Sequence, residues 1–149
     1  MMKSKRFEPI REIASNTADS LQQGVADAER HLAEMERQLA QLTNYRTDYV
    51  ARSEQAQGGV DAVRLQNFRS FLGRLSDAIR LQGEAVKAAR ADYDAKRQHW
   101  SVKRVEAEAL GKAVERFRLD ERRAQDRRDQ NEMDDASMRR LAAEHFEPG

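Results

Sequence analysis

His31, His99 and His145 are the residues of this chain best suited to acid–base or metal chemistry, and each stands alone. A metal site gathers several His, Cys, Asp or Glu ligands at recognisable spacing, and none of the three histidines has such a companion. The adjacent Asp134 and Asp135 read as surface carboxylates. Gly58-Gly59 lacks the further glycines, lysine and hydroxyl residue of a phosphate-binding loop. The chain has no cysteine, which removes thiolate chemistry and disulfides and fits a reducing compartment. The expectation is a protein that is not an enzyme and holds no cofactor or metal.

Recognition of another macromolecule is better served. Tyr45, Tyr49, Phe68 and Phe71 lie either side of Gly58-Gly59. Residues 96–128 carry eleven Lys and Arg against six Asp and Glu, a net of +5, and residues 129–149 carry six acids and two arginines, a net of −4. Over the whole chain 27 basic residues meet 26 acidic ones, so bulk charge names no partner. The basic stretch has three readings: a solvated helix, a surface for an acidic protein, or a nucleic-acid site. Acids interrupt its basic face, and neither a stacking platform nor a zinc finger accompanies it, so nucleic acid is the least supported.

These residues need elements to position them. With 36% charged and 39% hydrophobic residues and two prolines, the composition suits long helices better than a globule. From Phe7 a 4-3 step visits Arg11, Ala14, Ala18, Leu21, Val25, Ala28, Leu32, Met35, Leu39, Leu42, Arg46 and Tyr49. That 3.5-residue repeat is the signature of a coiled-coil seam. A second seam runs from Leu65 through Phe68, Leu72, Leu75, Ile79, Gln82, Val86, Ala89, Tyr93, Lys96, Trp100, Lys103, Ala107, Leu110 and Val114 to Phe117. The spacing predicts helix 1 from about residue 8 to about 55, with Pro9 in its first turn. A turn follows over about 56–61, with Asp61 capping the next helix. Helix 2 then spans about 62–141, ahead of a frayed tail to the last residue.

The expected fold is all-α: one domain, a long two-helix antiparallel coiled-coil hairpin whose second helix is longer and overhangs the first. A fold-back centred near residue 57 sets Leu42 against Leu72, Leu39 against Leu75, Met35 against Ile79, Leu21 against Tyr93 and Ala14 against Trp100. A shift of one heptad also keeps seam residues together. The overhang is expected to start near residues 107 to 114 and to need a partner for its stripe. Two helices offer no enclosed pocket in which to shift a pKa or exclude water.

On this geometry Tyr49 and Phe68 belong to the seam, whereas Tyr45 and Phe71 flank it. Tyr45 and Phe71 are then either partly buried shoulders or anchors of a docking patch, with Ala78 leaving a shallow spot beside them. On the overhang, the apolar trio Leu110, Val114 and Phe117 is bordered by Arg116, Arg118, Arg122 and Arg123, a second candidate contact surface.

The stretches "KRFEPIREIA", "LAQLTNYRTDYV" and "LQNFRSFLGRLSDAIRLQ" resemble the FliJ family of flagellar export proteins, and the likeness covers nearly the whole chain. The resemblance implies a cytoplasmic antiparallel coiled coil similar to the central stalk of rotary ATPases. It implies binding within the ring of the flagellar export ATPase, contact with the export-gate membrane protein FlhA, and association with flagellar export chaperones. The family's gate-binding positions match Gln38, Leu42, Tyr45, Tyr49, Phe71, Leu75, Ala78 and Gln82, although the family often has a different polar residue at the last. The implied place is the cytoplasm at the flagellar base, peripheral to the inner membrane through protein contacts. The alternative is a general coiled-coil adaptor or scaffold unrelated to motility. No apolar run approaches the roughly 20 residues of a membrane span, and the basic start lacks the apolar core of a secretory signal.

Overall fold

The computed structural model describes residues 2–55 and 61–145, and among them the chain is all-α. Helix α1 covers Lys3–Gln55 and helix α2 covers Ala62–His145, so the second is the longer by 31 residues (84 against 53). The expected turn falls largely on residues 56–60, outside the described residues. The tail was expected from about residue 142, but α2 continues to His145, and only 146–149 lie outside the described residues. No described helix is long and apolar enough to cross a membrane.

Local chemistry accounts for the start of α2. The Arg64 N–H donates to Asp61 Oδ1 at 2.8 Å and the Leu65 N–H to the Asp61 carbonyl at 3.1 Å, which makes Asp61 the N-cap. The start of α1 departs from expectation. The helix begins at Lys3, ahead of residue 8, and Pro9 lies inside it rather than in its first turn. The proline ring removes one backbone N–H from the helix ladder. Packing of Ser4 and Phe7 on α2 keeps the preceding turns helical.

Contacts group the described residues into two units. One comprises Asp19–Val102; the other is built from the residues up to Ala18 and those from Lys103 onward. In the first, Tyr49 meets Phe68 and Met35 meets Gln82, so the helices run antiparallel. In the second, Phe7 meets Phe117 and Ser4 meets Glu121, again antiparallel.

Each unit buries a single stripe. Ala28, Leu32, Leu75 and Ala89 form the core of the first unit, and Ala18 and Val114 that of the second, with Val114 wholly buried. These residues are seam positions. Two helices cannot bury more than one face each, so the outer faces stay solvated and carry ion pairs such as Glu34–Arg37 and Arg80–Glu84.

The register differs from the fold-back near residue 57. The Gln82 side chain donates to the Met35 carbonyl at 2.9 Å, so Met35 meets a residue one seam step beyond Ile79. In the other unit the expected register places Phe7 beside Ala107, three seam steps short of its observed partner. Heptads repeat, so apolar spacing barely separates such registers. Here the choice coincides with a polar pair: Ser4, only 6% exposed, continues the α1 seam one step before Phe7 and bonds Glu121. The overhang therefore starts later than 107 to 114. Ala124 is half-buried, and every described residue from Gln125 to His145 is exposed.

Candidate docking surfaces on the helix pair

In the Asp19–Val102 unit, the last turns of α1 and the first of α2 each contribute two rings to a continuous cluster. The Tyr49 ring lies 4.6 Å from that of Phe71, 5.2 Å from Phe68 and 6.4 Å from Tyr45. Tyr45 closes the set with an edge-on contact to Phe71 at 6.2 Å. Offset and edge-on ring pairs stabilise beyond their buried area, so the cluster holds its shape. Tyr49, Phe68 and Phe71 are half-buried, whereas Tyr45 is 51% exposed. The Arg74 guanidinium lies 6.0 Å from the Phe71 ring and extends this surface with a positive charge.

The other residues matched to the family's gate-binding positions divide by depth. Leu75 is 7% exposed and belongs to the core, and Leu42 is half-buried at its seam position. Ala78 and Gln38 are half-buried, with the Gln38 amide donating to Glu34 Oε1 at 3.1 Å. Gln82 spends its amide on the Met35 carbonyl, and its nitrogen also lies 3.5 Å from the Met35 sulfur. The structure thus joins Tyr45, Tyr49 and Phe71 into one surface, while Leu75 lies in the core and Leu42 is half-buried on the seam.

Two features here were not foreseen. Tyr49 and Phe68, read as seam residues, join the flanking Tyr45 and Phe71 in one continuous ring cluster. A groove of about 780 Å³ also opens beside the cluster, walled by Tyr49, Val50, Leu65, Phe68 and Leu72. The alternation of seam and flank could have suggested the first, because Phe68 and Phe71 are one helical turn apart.

The second candidate surface is corrected by the structure. Leu110, Val114 and Phe117 were expected to lie bare on the overhang, and they lie between the helices instead. Val114 is fully buried, Leu110 and Phe117 are half-buried, and the Phe117 ring is 5.4 Å from Phe7 with Lys3 Nζ 5.6 Å above it. The cause is the register described above, which carries α1 past them as far as Glu121. Arg118 donates to Glu8 at 2.7 Å. Arg116, Arg122 and Arg123 are exposed and make no ion pair among the described residues.

Ser4 and Glu121 were not foreseen as partners. The Ser4 hydroxyl donates to Glu121 Oε2 at 2.6 Å and the Ser4 N–H to Oε1 at 3.1 Å. The hydroxyl first, then the N–H, holds the Glu121 carboxyl below its ordinary range against the opposing effect of burial, with Arg118 and Lys5 adding to the shift. Among the described residues no three His, Asp or Glu gather as a metal site.

The model of the family described as "Flagellar FliJ protein" matches residues 2–145. No curated protein and no solved structure gives a match.

Proposed function

Since the chain belongs to the FliJ family of flagellar proteins, we propose that it is a non-enzymatic stalk and coupling component of flagellar type III export. In this reading the Asp19–Val102 unit docks on the cytoplasmic part of the export gate protein FlhA through Tyr45, Phe71, Ala78 and Gln38. Tyr49 and Leu42 back those side chains, and Leu75 and Gln82 fix the helix pair that presents them. The other unit engages the export ATPase ring through Arg116, Arg122 and Arg123 and through α2 beyond Ala124. Leu110, Val114 and Phe117 serve it from the interior, and Arg118 from its pair with Glu8. The chain acts in the cytoplasm at the flagellar base, near the inner membrane through its partners, and export chaperones are further ligands.

The observation that carries this reading is the exposed Tyr45 ring, held in place by Tyr49 and Phe71. An aromatic side chain kept half in water by a rigid cluster can bury its face on a partner at little cost in conformational entropy. For the ATPase, unpaired guanidinium groups on a slim helix orient it within a ring without locking it. The test is capture of the purified export ATPase and of the gate's cytoplasmic part by the full chain. Capture of both supports the reading. Capture of neither leaves the general coiled-coil adaptor.

A further inference from the structure

In the unit containing Ser4 and Glu121, one long flank of the helix pair is both basic and apolar. Glu8 and Arg118 bridge the helices on the opposite flank, each one residue past its seam position. Helical geometry at 3.6 residues per turn therefore turns the residues just before seam positions toward the other side. On α1 these and their outer neighbours are Lys3, Arg6, Ile10 and Ile13; on α2 they include Ala109, Ala113, Arg116, Asp120 and Arg123. Ile10 is 48% exposed and Ile13 67%, with Met2 (48%) continuing their stripe. Arg6, Arg116 and Arg123 are exposed and make no ion pair among the described residues.

We propose that this flank rests directly on an anionic phospholipid surface. Charge complementarity selects the occupant: four cations stand on the flank, against Asp120 and a Glu106 engaged by Lys103 at 3.3 Å. The apolar groups narrow it further. Ile10 and Ile13, one turn apart on a single helix, are both exposed and share their flank with the arginines Arg6 and Arg116 rather than lining a pocket. A fluid headgroup layer accepts that pattern, because isoleucines enter the acyl boundary while arginines meet phosphates. Duplex nucleic acid offers the phosphates without the apolar depth. The proposal goes beyond the stalk reading, in which membrane proximity comes through proteins alone. Because Arg116 and Arg123 serve both, lipid and ATPase ring compete for this flank.

Flotation of the full chain with vesicles tests it without any ATPase or gate, so its failure is separate from failure of the stalk reading. The chain should float with phosphatidylglycerol-rich vesicles, stay behind with pure phosphatidylcholine, and be released as salt screens the surface charge. Arg116→Gln and Arg123→Gln should each lower the partition coefficient about five-fold. Ile10→Ser with Ile13→Ser should lower it about ten-fold or more. Asp120→Asn should raise it, and Arg69→Gln, in the other unit, should leave it unchanged. All six positions are exposed, so the helical signal should persist in each variant. Absence of flotation, equal flotation with neutral vesicles, or an effect of Arg69→Gln as large as that of Arg116→Gln would overturn the proposal. So would wild-type vesicle binding by the isoleucine variant alongside tight, salt-sensitive binding of duplex DNA.

Discussion

Ser4 and Glu121 stand 117 positions apart in the chain and are joined by two hydrogen bonds, one from the serine hydroxyl at 2.6 Å and one from its backbone N–H at 3.1 Å. Both residues occupy seam positions, and Ser4 is almost wholly buried. A polar pair inside an otherwise apolar stripe stabilises the one register in which both partners meet, since any slip leaves a buried polar group unmatched. Beside it Phe7 packs at a tilt on Phe117 and Val114 is sealed from water.

Acid should loosen this end of the molecule. Glu121 titrates below its usual value of 4.5 in the folded chain, so its ionised form is favoured by folding. Its contribution is complete above that usual value and fades as pH falls through the lowered one. Thermal melts from about pH 6 to about pH 3 should show wild type losing more stability than Ser4→Ala. Ser4→Ala should melt lower at neutral pH, with the difference shrinking in acid. Parallel pH profiles for the two proteins would remove Ser4 as the cause.

Gly24 and Gly73 sit inside helices where a methyl group would meet nothing within 4 Å. Alanine there should stabilise the chain by about 1 kcal/mol each, because glycine costs that much in a helix interior. Urea melts of Gly24→Ala and Gly73→Ala should shift to higher midpoints with unchanged slopes. A lower midpoint at either would show that the glycine serves a bend or a close contact.

Truncation separates the helix pair from its extension. A chain ending at Ala124 keeps Val114, Phe117 and Glu121 in place and removes only exposed residues from Gln125 onward. It should retain its melting transition and lose most stimulation of the export ATPase. Truncation after Ala109 should instead unfold the N-terminal part of α1, because it deletes that unit's core. Full stimulation by the chain ending at Ala124 would remove the part of α2 beyond Ala124 from the ATPase contact and leave it to Arg116, Arg122 and Arg123 alone.

Much of this architecture could be read from residue spacing, and the reasons are physical. Every seam residue from Phe7 to Tyr49 is buried or half-buried except Arg46, whose long side chain carries its charge to the surface and contacts Ser76 at 3.4 Å. Leu65 and Lys96 are the exposed exceptions on α2 up to Phe117. Asp61 was recognisable as a cap because a short carboxylate before a helical run can take an orphan N–H. Register was not readable, since a heptad pattern matches itself when slid, and the deciding pair is polar and invisible to a hydrophobic count. That hid the burial of Leu110, Val114 and Phe117. Of the candidate docking residues, the off-seam places of Tyr45 and Phe71 were legible. How far each ring stands in water was not, because exposure depends on the neighbouring rings.

The claim that matters most is that Tyr45 is on display for a partner rather than for packing, and one paired measurement reaches it. Tyr45→Ala is assayed by thermal melting and by titration calorimetry against the cytoplasmic part of the export gate, beside Leu32→Ala as the core control. Leu32 is 7% exposed, so its truncation should cost about 2–5 kcal/mol of stability. Tyr45 is half in water, so its loss should move the melt little and weaken gate binding about thirty-fold, the mark of an interface anchor of about 2 kcal/mol. Unchanged gate affinity in Tyr45→Ala, with a melting shift approaching that of Leu32→Ala, would contradict the account and return the ring to the core.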